Sequence, residues 1–275
     1  MLNLATRVSA RAERVDRAVS SMHASFVPLL SGGEVQEVGH AIWTMSATPL
    51  LFANGVIRYD ARDFGGPASE RELDNCLTAL SMYDVPWRFS AWDHLGADVL
   101  VPRLIARGMI RAGTDHAMWL DLSGARSSVT SEDHIDIQPA TDASGHRVWT
   151  RIFTTTTGIS NEYANLILPL VARPPRQNLV ARANGRAVGC LTVTIEEGLA
   201  IVHNVGVLPA ARRHGVGRRL LLAAHEAALR RGARACVTLA TPEGARVCAR
   251  LGHHAVTRVT YLMPPPAGGL RRRRR

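Results

Sequence analysis

The stretch that decides the fold is Val205-Gly-Val-Leu-Pro-Ala-Ala-Arg-Arg-His-Gly-Val-Gly-Arg-Arg-Leu220. An apolar segment ends there, a basic loop follows, and apolar residues then recur at helical spacing. The first N–H groups of a helix have no acceptor within the helix and lie at the positive end of its dipole. Gly215 and Gly217 would let the main chain approach an anion closely. The positive charge of the loop comes from Arg212, Arg213, Arg218 and Arg219.

The spacing of the glycines narrows the choice of anion. A dinucleotide fingerprint needs a glycine or alanine where this chain has Leu220, and no Gly-Lys-Ser/Thr triplet is present for a nucleotide phosphate loop. A merely solvated, basic helix start would account for the arginines but not for two glycines in three positions. The stretch therefore predicts a binding site for a pyrophosphate group. It matches neither the dinucleotide-binding motif nor the phosphate loop of nucleoside-triphosphate-binding proteins.

Working outward, residues 134–263 alternate between strand and helix patterns, with a tight turn around Glu196-Glu197-Gly198. Strands are predicted at 135–139, 178–183, 187–195, 199–207, 235–239 and 255–263. Helices are predicted at 143–153, 161–170, 216–231 and 243–251. The order indicates a mixed sheet with helices packed on it, which is an α/β (α+β) fold.

The first half of the chain shows a similar alternation. Helices are predicted at 4–26, 69–82 and 96–107, and strands at 39–45, 50–57, 85–92 and 117–122. The small, polar stretch that follows has the composition of a linker. We therefore predict a first domain at 1–124, a linker at 125–133, a second domain at 134–263 and a disordered Pro/Gly/Arg tail at 264–275.

Two motifs in the right order carry a family resemblance. Arg212-x-x-Gly215-x-Gly217, after a Val-x-Val strand end and before a helix, resembles the acyl-CoA loop of the GNAT N-acyltransferase superfamily. Residues 240–252 are similar to the last helix of that family, with Leu251-Gly252-His253 in place of its Leu-Gly-Phe signature. Residues 52–57 and 104–108 resemble the degenerate first domain of tandem members, without a phosphate loop. The resemblance thus implies two GNAT-like domains, each a mixed twisted sheet flanked by helices.

The resemblance implies transfer of an acetyl or other acyl group from acyl-CoA to the primary amine of a small molecule. Backbone groups near Val205 and Val207 are expected to pair with the pantetheine arm like an added strand, and an N–H nearby to stabilise the oxyanion. The residues expected to bind acetyl-CoA are Val205, Val207, Arg212, Arg213, His214, Gly215, Val216, Gly217 and Arg218.

Three residues are candidates for the proton transfers. His203 is the predicted base, although a histidine bonded to a neighbour in the core is an equal alternative, and Glu197 is a second choice beside Glu196. Cys248 stands where the family has a tyrosine as general acid. A thiol is a weaker donor than a phenol, so unaided departure of the thiolate, or a proton from Tyr261 or water, stays open.

The amino-acid composition and charge limit the alternative functions of the chain. Arginine supplies all 33 basic residues against 23 acidic ones, which gives a net charge of +10 concentrated after residue 209. A carrier-protein acyl thioester or an aminoacyl-tRNA as donor is therefore one alternative, and a non-catalytic acyl-CoA sensor, suggested by the missing tyrosine, is another. Simple nucleic-acid binding is disfavoured because aromatic residues are not interleaved with the arginines.

The sequence lacks the patterns of membrane-spanning, secreted and metal-binding proteins, and this lack predicts where the protein resides and which groups it does not bind. No run of apolar residues approaches the roughly 18 needed to cross a bilayer, and residues 1–17 lack the apolar core of a signal peptide. We therefore expect a cytoplasmic protein without a membrane partner. The scattered Cys76, Cys190, Cys236 and Cys248 show no metal-binding spacing, so no metal and no disulfide are expected. The sequence leaves the oligomeric state undetermined.

Overall fold

The computed structural model describes residues 4–123, 134–173 and 176–265. The predicted linker and all of the predicted tail beyond residue 265 lie outside these ranges. Contacts divide the chain into two compact units. Unit one contains the residues up to Asp115 together with those from Val256 onward, and unit two contains His116–Ala255. No helix among the described residues is long and apolar enough to span a membrane.

In unit one, five strands pair in the order β1-β2-β3-β4-β11. All neighbours in it are antiparallel except β3 and β4, which are parallel. Its helices are α1 Leu4–Phe26, α2 Gly66–Ser81 and α3 Ala97–Ala106. Its strands are β1 Glu34–Val38, β2 Ala41–Met45, β3 Gly55–Tyr59, β4 Arg88–Trp92 and, from residue 256 onward, β11 His254–Met263.

In unit two, six strands pair in the order β5-β10-β9-β8-β7-β6; among these described strands β9 and β10 run parallel and the other neighbours are antiparallel. Its helices are α4 Ala143–Thr157, α5 Ala164–Val171, α6 Val216–Arg230 and α7 Pro242–Arg250. Its strands are β5 Ile110–Asp121 from residue 116 onward, β6 Ile135–Pro139, β7 Gln177–Ala183, β8 Arg186–Glu196, β9 Leu199–Val207 and β10 Ala235–Ala240.

The unit boundaries differ from the sequence-based domain limits at two strands. We placed the last strand in the second domain, yet Val259–Leu262 pair with β4 of unit one. We placed residues 117–122 in the first domain, yet His116–Asp121 pair with β10 of unit two. Strand partners are chosen by tertiary hydrogen bonding rather than by chain order, so composition along the chain could not locate these limits.

Most predicted elements are present, and the mixed α/β class is confirmed. The bounds of α1, β6 and β9 agree with the prediction to the residue. The strand predicted at 50–57 is wrong in its first half, because Leu51–Ala53 form a 3-10 turn. The buried Asn54 side chain fixes that turn by donating to the Thr48 carbonyl at 2.8 Å and accepting from the Ser46 amide. An apolar run has no period, and strand and turn therefore look alike in sequence.

Helices α4 and α6 hold β9 between them. On one side α6 buries Val216, Leu220 and Ala224 against the sheet. On the other side α4 begins at an Asp142 cap, which accepts from the Gly145 amide at 2.7 Å, and its Trp149 donates to the Leu191 carbonyl. Packing on both faces fixes the strand whose end leads into the basic loop.

Candidate functional site

The junction between β9 and α6 has an unusual backbone. After β9 come a 3-10 turn at Pro209–Ala211, four turn residues and the first residue of α6. Gly215 caps the helix with a left-handed φ of 80° and no capping side chain, and Arg213 has a φ of 69°. A positive φ at a non-glycine residue is strained. Alternation of left-handed residues turns successive amides toward one side, as in anion-binding nests.

The amides of this junction have no acceptor within the part of the chain that the structure describes. From Arg213 to Arg218, no main-chain N–H donates to another residue, and the first amide bonded within the helix start is that of Arg219, to the Gly215 carbonyl at 3.0 Å. The Arg212 Nε–H donates to the Val207 carbonyl at 3.1 Å, and His214 Nδ1 lies 2.8 Å from the Arg212 carbonyl. Among residues 4–123, 134–173 and 176–265, no carboxylate accepts from the main-chain amides of residues 213–218.

Gly217 has no packing reason to lack a side chain. A Cβ built there would meet only the Val207 side chain, at 3.9 Å, and one built at Gly215 would meet nothing. The space beside the amides is therefore open. Arg213 and Arg218 border it, are exposed, and form no ion pair among the described residues. Free amides, open space and unpaired guanidinium groups together suit a diphosphate.

The edge of β9 becomes available just before the loop. Parallel pairing between β9 and β10 runs from Leu199–Ala235 to Val202–Thr238 and ends there. Beyond that point β10 continues along β5, and Val205 on β9 is 42% exposed. A strand edge that has lost its neighbour can pair with an extended polar chain.

A bulge interrupts the same strand. Cys190 is paired with Gly206 and Thr192 with His203, so Leu191 of β8 faces two residues, Asn204 and Val205. Asn204 takes a left-handed φ of 56°. A bulge leaves one residue outside the regular ladder, which redirects its main-chain groups. Sequence analysis missed this bulge, and the one signal for it was an asparagine, a residue enriched at positive φ.

His203 lies beside the bulge, two residues before Val205. Its ring is half-buried, and Nε2 lies 3.0 Å from the Thr194 hydroxyl oxygen. The pairing register places His203 on the same side of the sheet as Gly206, where α4 packs so closely that a Cβ on Gly206 would overlap the Thr156 hydroxyl. The histidine is therefore bonded to a neighbour, as one of the two interpretations expects, and it also lies on the strand that leads into the loop.

The other two candidate catalytic residues lie elsewhere. Glu197 is at the exposed tip of the β8–β9 hairpin, with a φ of 47°. The tip lies about 20 Å along the strand from Val205. Cys248 on α7 is 2% exposed and packs in the core of unit two, and burial raises the pKa of its thiol to about 11. His203 thus lies near the end of β9 that leads into the loop, whereas Glu197 lies in the turn before the start of β9.

His253, which stands where the family signature has a phenylalanine, belongs to a cluster of buried side chains that the sequence did not suggest. His253 is buried, and its Nε2 lies 2.9 Å from Nε2 of His225 on α6. Burial lowers the pKa of each histidine to about 4, and the neighbouring ring contributes to the shift at His225. Both rings are therefore neutral at physiological pH.

The comparisons with known proteins agree with this geometry. Residues 146–252 match the model of the Acetyltransferase (GNAT) family. A search among curated proteins gives no match.

Solved structures give the fold. A GCN5-related N-acetyltransferase from Kribbella flavida is similar with a TM-score of 0.69 and 15% identity, over 90% of this chain and 95% of that one. A tandem GNAT protein from the clavulanic acid biosynthesis pathway is similar with a TM-score of 0.57 and 15% identity, over 85% and 83%. At such identities the likeness concerns the fold, and it confirms the expected GNAT architecture.

Proposed function

We propose, from the match of residues 146–252 to the model of the GNAT acetyltransferase family, that the chain transfers an acyl group from acyl-CoA to the primary amine of a small molecule. Acyl-CoA supplies the thioester whose acyl group is transferred. The observation that carries the proposal is the run of main-chain amides at 213–218 without an acceptor among the described residues, directly after a strand edge that has lost its partner.

Binding is assigned to the loop and to the strand that precedes it. The free amides donate to the diphosphate oxygens, and Arg213 and Arg218 neutralise their charge. Val216 is buried and anchors the first turn of α6, so the amides are held in place before the ligand arrives. Val205 and Val207 offer main-chain groups to the amide-containing arm that joins the diphosphate to the sulfur. The loop thus provides hydrogen-bond donors for the anionic diphosphate. The end of β9 provides main-chain groups for the neutral, polar arm of the ligand.

Chemistry is assigned to the bulge. A main-chain N–H beside Asn204 donates to the thioester carbonyl oxygen as negative charge develops on it. His203 takes a proton from the incoming ammonium, so that the amine lone pair can form the C–N bond while the C–S bond breaks. The nitrogen then gives its second surplus proton to water, which leaves a neutral amide. The Thr194 hydroxyl, 3.0 Å from Nε2, holds the imidazole in position. The leaving sulfur takes a proton from water, since the Cys248 thiol is buried and its pKa is raised.

Mass spectrometry of the full chain, incubated with a panel of acyl-CoAs and small primary amines, tests the proposal. We expect retained acyl-CoA and an acylated amine that carries the mass of the donor acyl group. Acyl-CoA that binds without any acylated product would instead indicate a sensor, the alternative suggested by cysteine at position 248. Absence of acyl-CoA binding would overturn the assignment of the loop.

A macromolecular donor is the second candidate, and the unpaired Arg213 and Arg218 favour it as much as they favour CoA. Removal of the five C-terminal arginines, 271–275, separates the two. Turnover of small substrates should be unchanged in the truncated chain. A large loss, together with a steep dependence on salt, would indicate a carrier protein or tRNA.

A further inference from the structure

Three buried side chains of unit two bring metal-binding atoms together. They are His225 on α6, Cys236 on β10 and His253 just after α7, and their ligand atoms all lie within 4.8 Å of one another. Their exposures are 7%, 0% and 4%, respectively. The set offers two imidazole nitrogens and one sulfur, a combination suited to borderline and soft transition metals.

The spacing of these atoms is close to that of a tetrahedral site. With zinc–nitrogen bonds of about 2.0–2.1 Å and a zinc–sulfur bond of about 2.3 Å, tetrahedral ligand atoms lie roughly 3.3–3.6 Å apart. The two Nε2 atoms are 2.9 Å apart, and no pair in the set exceeds 4.8 Å. To complete the geometry, the two rings would separate by about 0.4 Å, and the sulfur, which lies at most 4.8 Å from the nitrogens, would approach them by up to about 1.2 Å.

One ring is already oriented for a metal. His253 Nδ1 lies 3.4 Å from the Met118 carbonyl oxygen, so this nitrogen carries the hydrogen and donates it. Nε2 of His253 then presents its lone pair to the cluster, and His225 donates its own Nε2–H to that lone pair. A carbonyl that fixes the outer nitrogen is the usual support of a metal-binding histidine. Metal binding requires His225 to move its hydrogen to Nδ1.

We propose that His225, Cys236 and His253 bind a divalent transition metal of the zinc class through two nitrogens and one thiolate. The Cys236 thiol loses its proton to solvent as the metal–sulfur bond forms, and water fills the fourth position. The metal joins α6, β10 and the segment after α7. His225 lies about 14 Å along α6 from Val216, so the metal stabilises the helix that presents the loop and takes no part in acyl transfer.

Titration of the full, metal-free chain with cobalt(II) tests the proposal. We expect one equivalent to bind, with a sulfur-to-cobalt charge-transfer band and the intense visible bands of tetrahedral cobalt(II), and zinc(II) to displace it. X-ray absorption of the zinc-loaded wild type should show one sulfur and two imidazole nitrogens. Absence of stoichiometric binding, or binding without a sulfur ligand, would overturn the site.

Single substitutions locate the site. Cys236→Ala should remove the charge-transfer band and weaken cobalt(II) binding by more than the roughly 10–100-fold expected for loss of a supporting contact. Cys190→Ala, which removes another buried thiol of unit two, is the matched control and should bind like the wild type. Equal loss in both variants, or no loss in either, would contradict the assignment. If Cys236→Ala does not fold, the absorption spectrum of the wild type decides.

Discussion

Each unit contains a junction in which a strand, a 3-10 turn and a glycine lead into a helix, but the two junctions differ in what surrounds the glycine. In unit two, β9 leads through Gly215 into α6. In unit one, β4 leads through a 3-10 turn at Asp93–Leu95 and Gly96 into α3. Both glycines cap their helix with a left-handed φ, 80° and 84°, and without a side-chain cap.

Only the junction of unit two leaves room for a ligand. A Cβ on Gly96 would lie 2.7 Å from the Ala61 carbonyl oxygen, whereas one on Gly215 would meet no atom within 4 Å. The second residue of α3 is the exposed Asp98, and the second residue of α6 is Gly217. A carboxylate in the first helical turn repels a bound anion while satisfying the helix dipole.

The comparison teaches that backbone geometry alone does not make an anion site. Both junctions present a helix N-terminus, yet in one the chain itself fills the space and supplies negative charge. We interpret unit one as the degenerate GNAT-like half on this ground, and we assign donor binding to unit two.

Gly217→Trp should weaken acetyl-CoA binding by more than about 100-fold, because the indole would fill the open space beside the amides. The fold should persist, since a Cβ at this position would meet only Val207, at 3.9 Å, and the space beyond it is open. Calorimetry with acetyl-CoA and circular dichroism measure the two effects. Asp98→Trp, at the corresponding position of α3, is the control and should bind normally; equal losses would erase the contrast between the junctions.

His203→Gln should lower kcat about 100-fold at neutral pH and leave KM for acyl-CoA unchanged, since the ring touches the amine rather than the diphosphate. The loss should shrink at alkaline pH, where the amine loses its proton to solvent. Thr194→Val should cause a smaller loss, because it removes only the bond that holds the imidazole. The pH dependence of kcat/KM is the measurement, and a profile like that of the wild type would remove His203 as base.

Arg213→Glu should weaken acetyl-CoA binding about tenfold, roughly the contribution of one charge-assisted hydrogen bond. The effect should diminish at high salt, because Arg213 is exposed. Arg230→Glu, at the opposite end of α6 where Arg230 lies 3.8 Å from Glu226, serves as the control. If both variants lose affinity equally, the loop has no special role and net charge accounts for binding.

Cys248→Ala should leave turnover unchanged and lower the free energy of unfolding by about 1 kcal/mol, because it deletes buried atoms of the core. Steady-state kinetics and thermal denaturation measure the two quantities. A large fall in kcat with unchanged stability would restore Cys248 as the general acid.

The sequence predicted the loop better than the rest of the site. Glycines and arginines at fixed spacing before an amphipathic helix depend on local geometry, and that geometry is present. The bulge at Asn204 and the early end of the β9–β10 pairing depend on register, which no short pattern encodes. Glu197 was a second choice for the base, and it lies in the turn that the sequence predicted, at the other end of β9 from the loop.

Local patterns in the sequence predicted most of the helices and strands and a loop rich in glycine and arginine before α6, because periodicity and loop composition are local properties of the chain; β1 was not predicted. Tertiary structure decided which strand belongs to which unit. It also buried Cys248, and it gathered His225, Cys236 and His253 although their spacing resembles no metal motif. Contacts between residues distant in sequence depend on packing and on hydrogen bonds between strands, and these form only when the strands pair and the helices pack on the sheet.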